Sequence, residues 1–423
     1  MKFIFADSLD FVDPEYDFVE DKNGAKRRWH EDDEFPHEHL DVAPYDGILV
    51  SRAIVGGVRK GGKYTPAQAM RLSREGARAF LRYPVSAYPR SIIMGDCGAF
   101  SYREAKCPPY TVEDTLEFYE DGGFTHGCSV DHLIFDFSRA IKPPSADVQD
   151  RYDITLNNAR TFIKGSKALK KFTPLGVVQG WSPASMAEAA KKLSGMGFEY
   201  LAVGGMVPLK TPQIAEALEC IRSAIPTKVK LHILGFGKLE DVQVLHRYGV
   251  ASFDTTSPLT RAFKDAKKNY YSLLPNGDLE YFTAVRIPQA IVNDRLTKTA
   301  KEGRIDQEKL VQMESAALTA VRDFSAGRCT AAEAVDGVLA YDRYALWNSR
   351  LTGDRNARHI SQLRETYIRT LSARPWELCS CRVCRETGVE AVIFRSSNRN
   401  KRRGMHNLQV FYRSLRTRFG RSL

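Results

Sequence analysis

The chain has 423 residues, 43% of them hydrophobic and 27% charged, with a formal net charge of +11 and a sequence pI of 9.2. This balance excludes a largely disordered chain, and 8 Cys in 423 residues exclude a disulfide-dense mini-fold. No apolar run approaches the roughly 20 residues of a membrane helix, and Asp7 and Asp10 interrupt the opening MKFIFADSLDF too soon for a secretory signal. A cytoplasmic protein with reduced thiols is expected.

Residues 2–6 (KFIFA) read as a short strand. Residues 20–46 are polar and acidic, and their histidines, His30, His37 and His39, read as part of a solvated loop. GGVRKGG (56–62) is glycine-rich but lacks phosphate-loop spacing and reads as a turn. Seven short apolar runs follow one another: GILVS (47–51), SIIMGD (91–96), HLIFDF (132–137), LGVVQG (175–180), YLAVGG (200–205), LHILGF (231–236) and ASFDTT (251–256). They lack period-2 alternation, as buried parallel strands do. Amphipathic segments such as PASMAEAAKKLSGMG and TPQIAEALECIRSAI lie between them. Such β/α alternation fits an open doubly wound sheet or a (β/α)8 barrel. EYFTAVRI (280–287) is the candidate for a closing eighth strand.

Residues 303–372 read as mainly helical, and HNLQVFYRSLRTRF (406–419) as a last amphipathic helix. Between them Cys379, Cys381 and Cys384 form a C-x-C-x2-C group, with His406 22 residues after Cys384. Three thiolates so close need a cation, and a fourth ligand closes a tetrahedron, so a structural Cys3His zinc site is expected. The division along the chain is then a barrel over 1–302, a helical basic segment over 303–372 and a zinc-binding subdomain with the final helix over 373–423.

The charge is uneven. From Arg343 to the end there are 18 Lys/Arg against 5 Asp/Glu, a net of +13, leaving −2 for everything before. A polyanion contact by the carboxy-terminal region is the reading, with Arg399, Lys401, Arg402 and Arg403 as candidate phosphate contacts.

Barrel enzymes gather functional groups at the carboxyl ends of the strands. Asp96, Asp136, Gln179, Gly204–Gly205, Gly235 and Asp254 fall at the ends of the runs above. Two carboxylates flanking a sugar carbon support glycosidic chemistry. A third acid, an amide and backbone groups suit the edge of a purine-like base.

These residues resemble those of the tRNA-guanine transglycosylases, zinc-containing (β/α)8 base-exchange enzymes. GDCGAF (95–100), FDF (135–137), VVQG (177–180), AVGG (202–205), ILGFG (233–237) and FDTTSP (253–258) fall in that family's order, and CSCRVC (379–384) with GMHNLQVFY (404–412) resembles its zinc signature. The opening segment, GDCGAF and FDTTSP look closest to the branch that places 7-deazaguanine bases into DNA.

The resemblance implies Asp254 as the nucleophile on C1′ and Asp96 as general acid/base, with the two carboxyls about 5 Å apart, as in a retaining double displacement. It implies that Asp136 and Gln179 bond the base edge, that Gly204 and Gly205 offer backbone groups, and that Phe100 and Leu234 sandwich the ring. Zinc is implied on Cys379, Cys381, Cys384 and His406. Lys210 stands where the RNA enzymes carry a carboxylate, which favours the neutral nitrile preQ0 over aminomethyl preQ1 as incoming base. DNA is the expected partner, with tRNA the alternative, and the branch implies work beside a companion ATPase. The oligomeric state stays open, a dimer included. A non-catalytic nucleic-acid-binding homologue is the remaining alternative, against which Asp96 and Asp254 argue.

Overall fold

The computed structural model describes residues 1–56, 63–138, 143–346 and 354–420. The glycine-rich stretch expected as a turn lies, but for Gly56, outside the described residues. The chain forms two compact units: one of Met1–Asp10, Tyr45–Ser257 and the chain end from Phe419, the other of Phe11–Pro44 and Pro258–Arg418. Both draw on separated stretches, and neither is bounded at 302 or 372.

The first unit is a closed barrel of eight strands, each hydrogen-bonded in parallel to the next: β1 (Lys2–Ala6), β2 (Gly47–Ser51), β3 (Ile92–Asp96), β4 (His126–Cys128), β5 (Thr173–Val178), β6 (Tyr200–Val203), β7 (Lys230–Ile233) and β8 (Ser252–Thr255). Ile4, Leu49, Ile92, Met94, Cys128, Leu175, Val177, Tyr200 and Ala202 form one of its buried clusters, consistent with the side-chain layers that fill such barrels. Helices over Val112–Asp121, Ala146–Gly165, Pro183–Gly195 and Thr211–Ala224 are interleaved with the later strands. Thr111, Ser145 and Ser182 each accept a backbone N–H of the following helix, satisfying donors that a helix start leaves open.

Two strand assignments change. The barrel is closed by KFIFA, not by EYFTAVRI: Lys2, Phe3, Ile4 and Phe5 pair with Ser252, Phe253, Asp254 and Thr255. Phe3, Ile4 and Phe5 are buried, as a strand flanked on both edges requires. The fourth strand is the short, polar-looking His126–Cys128, and HLIFDF is irregular chain beyond it. Tyr119 explains the choice. Its ring lies against Gly95 of β3 and Gly127 of β4, where any added Cβ would come within 2.1 and 2.5 Å of it. Its hydroxyl donates to the Cys128 carbonyl at 2.9 Å.

In the second unit EYFTAVRI is split. β9 (Tyr270–Leu273) pairs antiparallel with β10 (Leu279–Phe282), and β11 (Val285–Arg286) pairs in parallel with β12 (Ile393–Phe394). Helices run over Gln307–Ser325, Ala331–Leu346, Asp354–Ala373 and Ser397–Phe419, and Leu310, Val321, Val338, Leu371, Trp376 and Met405 share one apolar core. Residues 347–353, within the segment expected to be helical, lie outside the described residues. Among the described residues no helix is long and apolar enough to cross a membrane.

The acidic segment is not a solvated loop. Asp13, His30, Asp33, His37 and His39 are buried, and the arginines of the last helix are their counterpart. Arg399 bonds Glu390 at 2.7 Å and reaches Asp21 at 3.2 Å. Arg402 donates to the Asp13 carbonyl at 2.8 Å and to His39 Nε2 at 3.0 Å. His39 Nδ1–H donates to Glu34 at 2.6 Å, and burial holds this imidazole below its ordinary pKa, in the neutral form that can accept from Arg402. Arg403, wholly buried, donates to the carbonyls of Ile393 and Ala262 at 3.1 and 2.6 Å. Lys401 Nζ donates to the Phe11 carbonyl at 3.2 Å. The expectation that Arg399, Arg402 and Arg403 face phosphates is therefore wrong. They neutralise and cap the second unit's own interior, because a buried carboxylate or unpaired carbonyl is costly without such a partner.

Candidate active site and metal centre

The carboxyl ends of β3, β4, β5, β7 and β8 bring together a polar cluster inside the first unit. Asp96 ends β3 and accepts the N–H of Gly98 at 3.0 Å. Gly98 has φ 82°, and an added Cβ would meet Ala53 at 2.4 Å and Ser51 at 2.5 Å, so the turn that folds back onto Asp96 requires glycine. Asp131 lies three residues beyond β4, buried, with Cys97 Sγ donating to its Oδ1 at 3.0 Å and Gln179 Nε2 to its Oδ2 at 2.7 Å. Tyr102 fixes the same corner by donating to the Asp131 carbonyl at 2.9 Å. Ligand atoms of Asp96, Cys97 and Asp131 all lie within 4.8 Å of one another.

Asp254 stands on β8, nearly buried. Its Oδ1 accepts the Gly235 N–H at 2.9 Å and faces His232 Nε2 at 3.2 Å. The two carboxyls thus sit in different surroundings. Burial, then the charges of Asp131 and Asp254, push Asp96 up to about 7, and burial likewise raises Asp131. Asp254 Oδ1 is thus met by a backbone N–H on one side and an imidazole nitrogen on the other. Glycosidic chemistry calls for two carboxyls in unlike surroundings, one disposed to hold a proton and one to attack.

The remaining expected residues are spread more widely. Gln179 is buried, and its Oε1 accepts from Ile134 N–H at 3.3 Å. Gly204 packs on this amide so closely that a Cβ would fall 2.3 Å from Nε2. Its N–H is taken by the Val178 carbonyl at 3.0 Å, so what Gly204 can offer a ligand is its own carbonyl. Gly205 follows with φ 72°. Leu234 is half-buried against the barrel interior. Phe100 is 58% exposed and meets Phe135 edge-on, ring centres 6.2 Å apart, with the Arg103 guanidinium 4.6 Å over its face. Lys210 is exposed at the start of the helix Thr211–Ala224. Asp136 does not join the cluster: it is exposed in the chain beyond β4, and Asp131 is the acid that pairs with Gln179. Reading the strand at 132–137 instead of His126–Cys128 produced that shift. Asp131 and His232 were not singled out from the sequence. The only signal for Asp131 was a Gly-containing triplet followed by an acid, and His232 lies within an apolar run.

In the second unit, Cys379, Cys381, Cys384 and His406 offer ligand atoms within 4.8 Å of one another. The three sulfurs stand 3.6, 3.4 and 3.3 Å from His406 Nδ1. Tetrahedral zinc with Zn–S of about 2.3 Å and Zn–N of about 2.0 Å would separate sulfur and nitrogen by roughly 3.5 Å. His406 Nε2–H donates to the Tyr271 carbonyl at 2.8 Å, which leaves the Nδ1 lone pair directed at the sulfurs. Tyr270 stacks on the imidazole at 4.1 Å and hydrogen-bonds Cys384 at 3.1 Å. The cluster is compatible with zinc in both distance and tautomer.

Residues 133–278 match the family model described as queuine tRNA-ribosyltransferase. Over 421 residues the chain is 41% identical to a protein of Salmonella montevideo named DNA-guanine transglycosylase, an alignment covering 98% of this chain and 96% of that one.

Proposed function

Since this chain belongs to the guanine transglycosylase family, we propose that it exchanges guanine in DNA for the 7-deazaguanine base preQ0 through a covalent Asp254–sugar intermediate. The observation that carries the reading is the pairing of Asp96, raised to about 7, with Asp254, held by Gly235 and His232. An oxygen of Asp254 attacks C1′ as the bond to N9 breaks, and Asp96 gives its proton to the departing guanine. The incoming base then loses its N9 proton to Asp96, its N9 attacks C1′, and Asp254 leaves as carboxylate. Two inversions retain the configuration.

Asp131 and Gln179 supply the acceptors and donor for the base edge, with Gly204 and Gly205 completing it from the backbone. Phe100 and Leu234 close over the ring faces. Lys210 disfavours an ammonium on the incoming base and leaves the nitrile acceptable. Zinc on Cys379, Cys381, Cys384 and His406 has four protein ligands and thus no open position, so its role is structural. A guanine stacked in duplex DNA must first be extruded or unpaired, at a few kcal/mol. Supply of an opened strand by a companion ATPase belongs to this proposal.

The relative named for DNA favours DNA, while the matching family model favours tRNA as the second reading. Incubation with labelled preQ0, offering DNA and tRNA in parallel, separates them. Label entering DNA, and lost in Asp254→Ala, is the expected result; label entering tRNA alone overturns the DNA assignment.

A further inference from the structure

A line of hydrogen bonds runs through the barrel interior to Asp254. Tyr200 OH and Ser252 Oγ are 2.6 Å apart, Ser252 Oγ and His232 Nδ1 are 2.6 Å apart, and His232 Nε2 stands 3.2 Å from Asp254 Oδ1. All four side chains are buried. Tyr200 and Ser252 begin strands β6 and β8, His232 lies in the middle of β7, and Asp254 is two residues further along β8. Ser252 and Asp254 therefore point to the same side of their strand, as residues two apart must, and the line follows the barrel axis toward the catalytic end.

The carboxylate end fixes its direction. An Asp254 that attacks as a carboxylate can only accept, so the hydrogen bond at His232 Nε2 needs the proton on that nitrogen. Nδ1 is then left to accept from Ser252, whose oxygen in turn accepts from Tyr200. The opposite order would leave the imidazole with a lone pair against the carboxylate.

We infer that His232 is a positioning residue for the nucleophile, locked by Ser252 and Tyr200 as the Nε2–H donor to Asp254 Oδ1. The inference rests on the base-exchange reading above. With Oδ1 held by His232 and the Gly235 N–H, Oδ2 is the oxygen directed at C1′. In the intermediate Oδ2 is esterified and Oδ1 is the carbonyl oxygen. When the second base attacks, the C1′–Oδ2 bond breaks and negative charge returns to the carboxylate, where the same two donors stabilise it. His232 therefore serves both displacements as the same hydrogen-bond donor.

The test is single-turnover formation of the denaturant-stable protein–DNA adduct. His232→Phe keeps a ring and loses the donor; about a 100-fold slower adduct rate is expected, with KM for DNA changed by less than about threefold. His232→Gln restores an N–H near the Nε2 position and recovers about tenfold of that loss. Ser252→Ala frees the tautomer and costs about tenfold alone, yet adds nothing in the His232→Phe background, because it acts only through the imidazole. If His232→Phe fails to fold, Ser252→Ala and His232→Gln form the same cycle. A His232→Phe rate within threefold of wild type, or a Ser252→Ala loss that multiplies the His232 loss, overturns the role of His232 alone. Wild-type protein that forms no adduct overturns the base-exchange reading itself.

Discussion

Gln179 Nε2 donates to Asp131 Oδ2 across 2.7 Å, and the Cys97 thiol holds the other carboxylate oxygen at 3.0 Å. The carboxylate is thereby anchored from β3 and β5 at once, and it is the buried acid of the loop after β4, whereas Asp136 is exposed. Asp131→Asn should lower kcat/KM for base exchange by about 10- to 100-fold, since one polar group facing the base is then mispaired. Asp136→Asn should stay within about threefold. Parallel steady-state assays decide; equal losses at both positions would remove Asp131 from the base-reading role.

Asp96 links stability to pH. Its folded-state pKa of about 7 lies above the ordinary 3.8, so the native state holds this proton more tightly than the unfolded chain. Its contribution is most favourable at low pH and declines as pH rises from about 4 to about 7. Relative to wild type, Asp96→Asn should gain Tm across that window and then hold a constant advantage above it. A difference independent of pH would place Asp96 in an ordinary carboxylate environment.

On the proposed mechanism the same group sets the activity profile. In that mechanism guanine release needs the protonated acid, so kcat/KM for DNA should fall with a slope approaching −1 above about pH 7. The profile is read with wild-type enzyme under single-turnover conditions. A rate that keeps rising through pH 8 would mean that another group protonates the leaving base.

Metal removal should act on folding before chemistry. One zinc per chain is expected by elemental analysis, and Cys384→Ser should abolish stoichiometric retention. Chelation should lower Tm markedly and make unfolding dependent on metal concentration. Retention of full thermal stability in metal-free protein would contradict a structural role.

Arg399 separates internal from external charge. Breaking its buried pairing with Glu390 and Asp21 should destabilise the protein by about 3–5 kcal/mol, visible in denaturant unfolding of Arg399→Met. The slope of log Kobs against log salt for DNA binding should not change, because no phosphate contact is lost. A slope reduced by nearly one would return this arginine to the nucleic-acid surface.

Much of the barrel was legible because parallel strands buried on both faces write themselves as apolar runs, and six of the seven runs named are strands or overlap them. HLIFDF failed by the same rule. Leu133 packs beside Cys97, Ala99, Tyr102 and Tyr110, and Ile134 is buried, so an apolar run here marks packed loop. The true strand is written in Gly127, whose missing side chain makes room for Tyr119, a tertiary reason that no window of hydropathy contains. Asp96, Gln179 and Asp254 were found because each lies at or next to the carboxyl end of a strand. His232 was hidden inside one, since a histidine paired within a barrel looks like any residue of its run. The net charge misled for a related reason: composition counts arginines, but only partners such as Asp21 and Glu390 tell which of them meet solvent.

The order in which a ribosome delivers the chain gives these pairings a further meaning. β1 emerges before the other seven strands, yet Lys2 pairs with Ser252, so the barrel cannot close until about 250 further residues are made. The acidic segment waits longer still, since Phe18 meets Arg399 across 381 positions. Throughout that interval Asp13, Asp21 and His39 lack the last helix that pairs or caps them, and the apolar edge of β1 is open. Contacts of such separation form late and slowly. A nascent chain of this protein therefore keeps these groups without their partners through most of its synthesis, and truncation at the start of the last helix removes the partner of a residue 381 positions earlier.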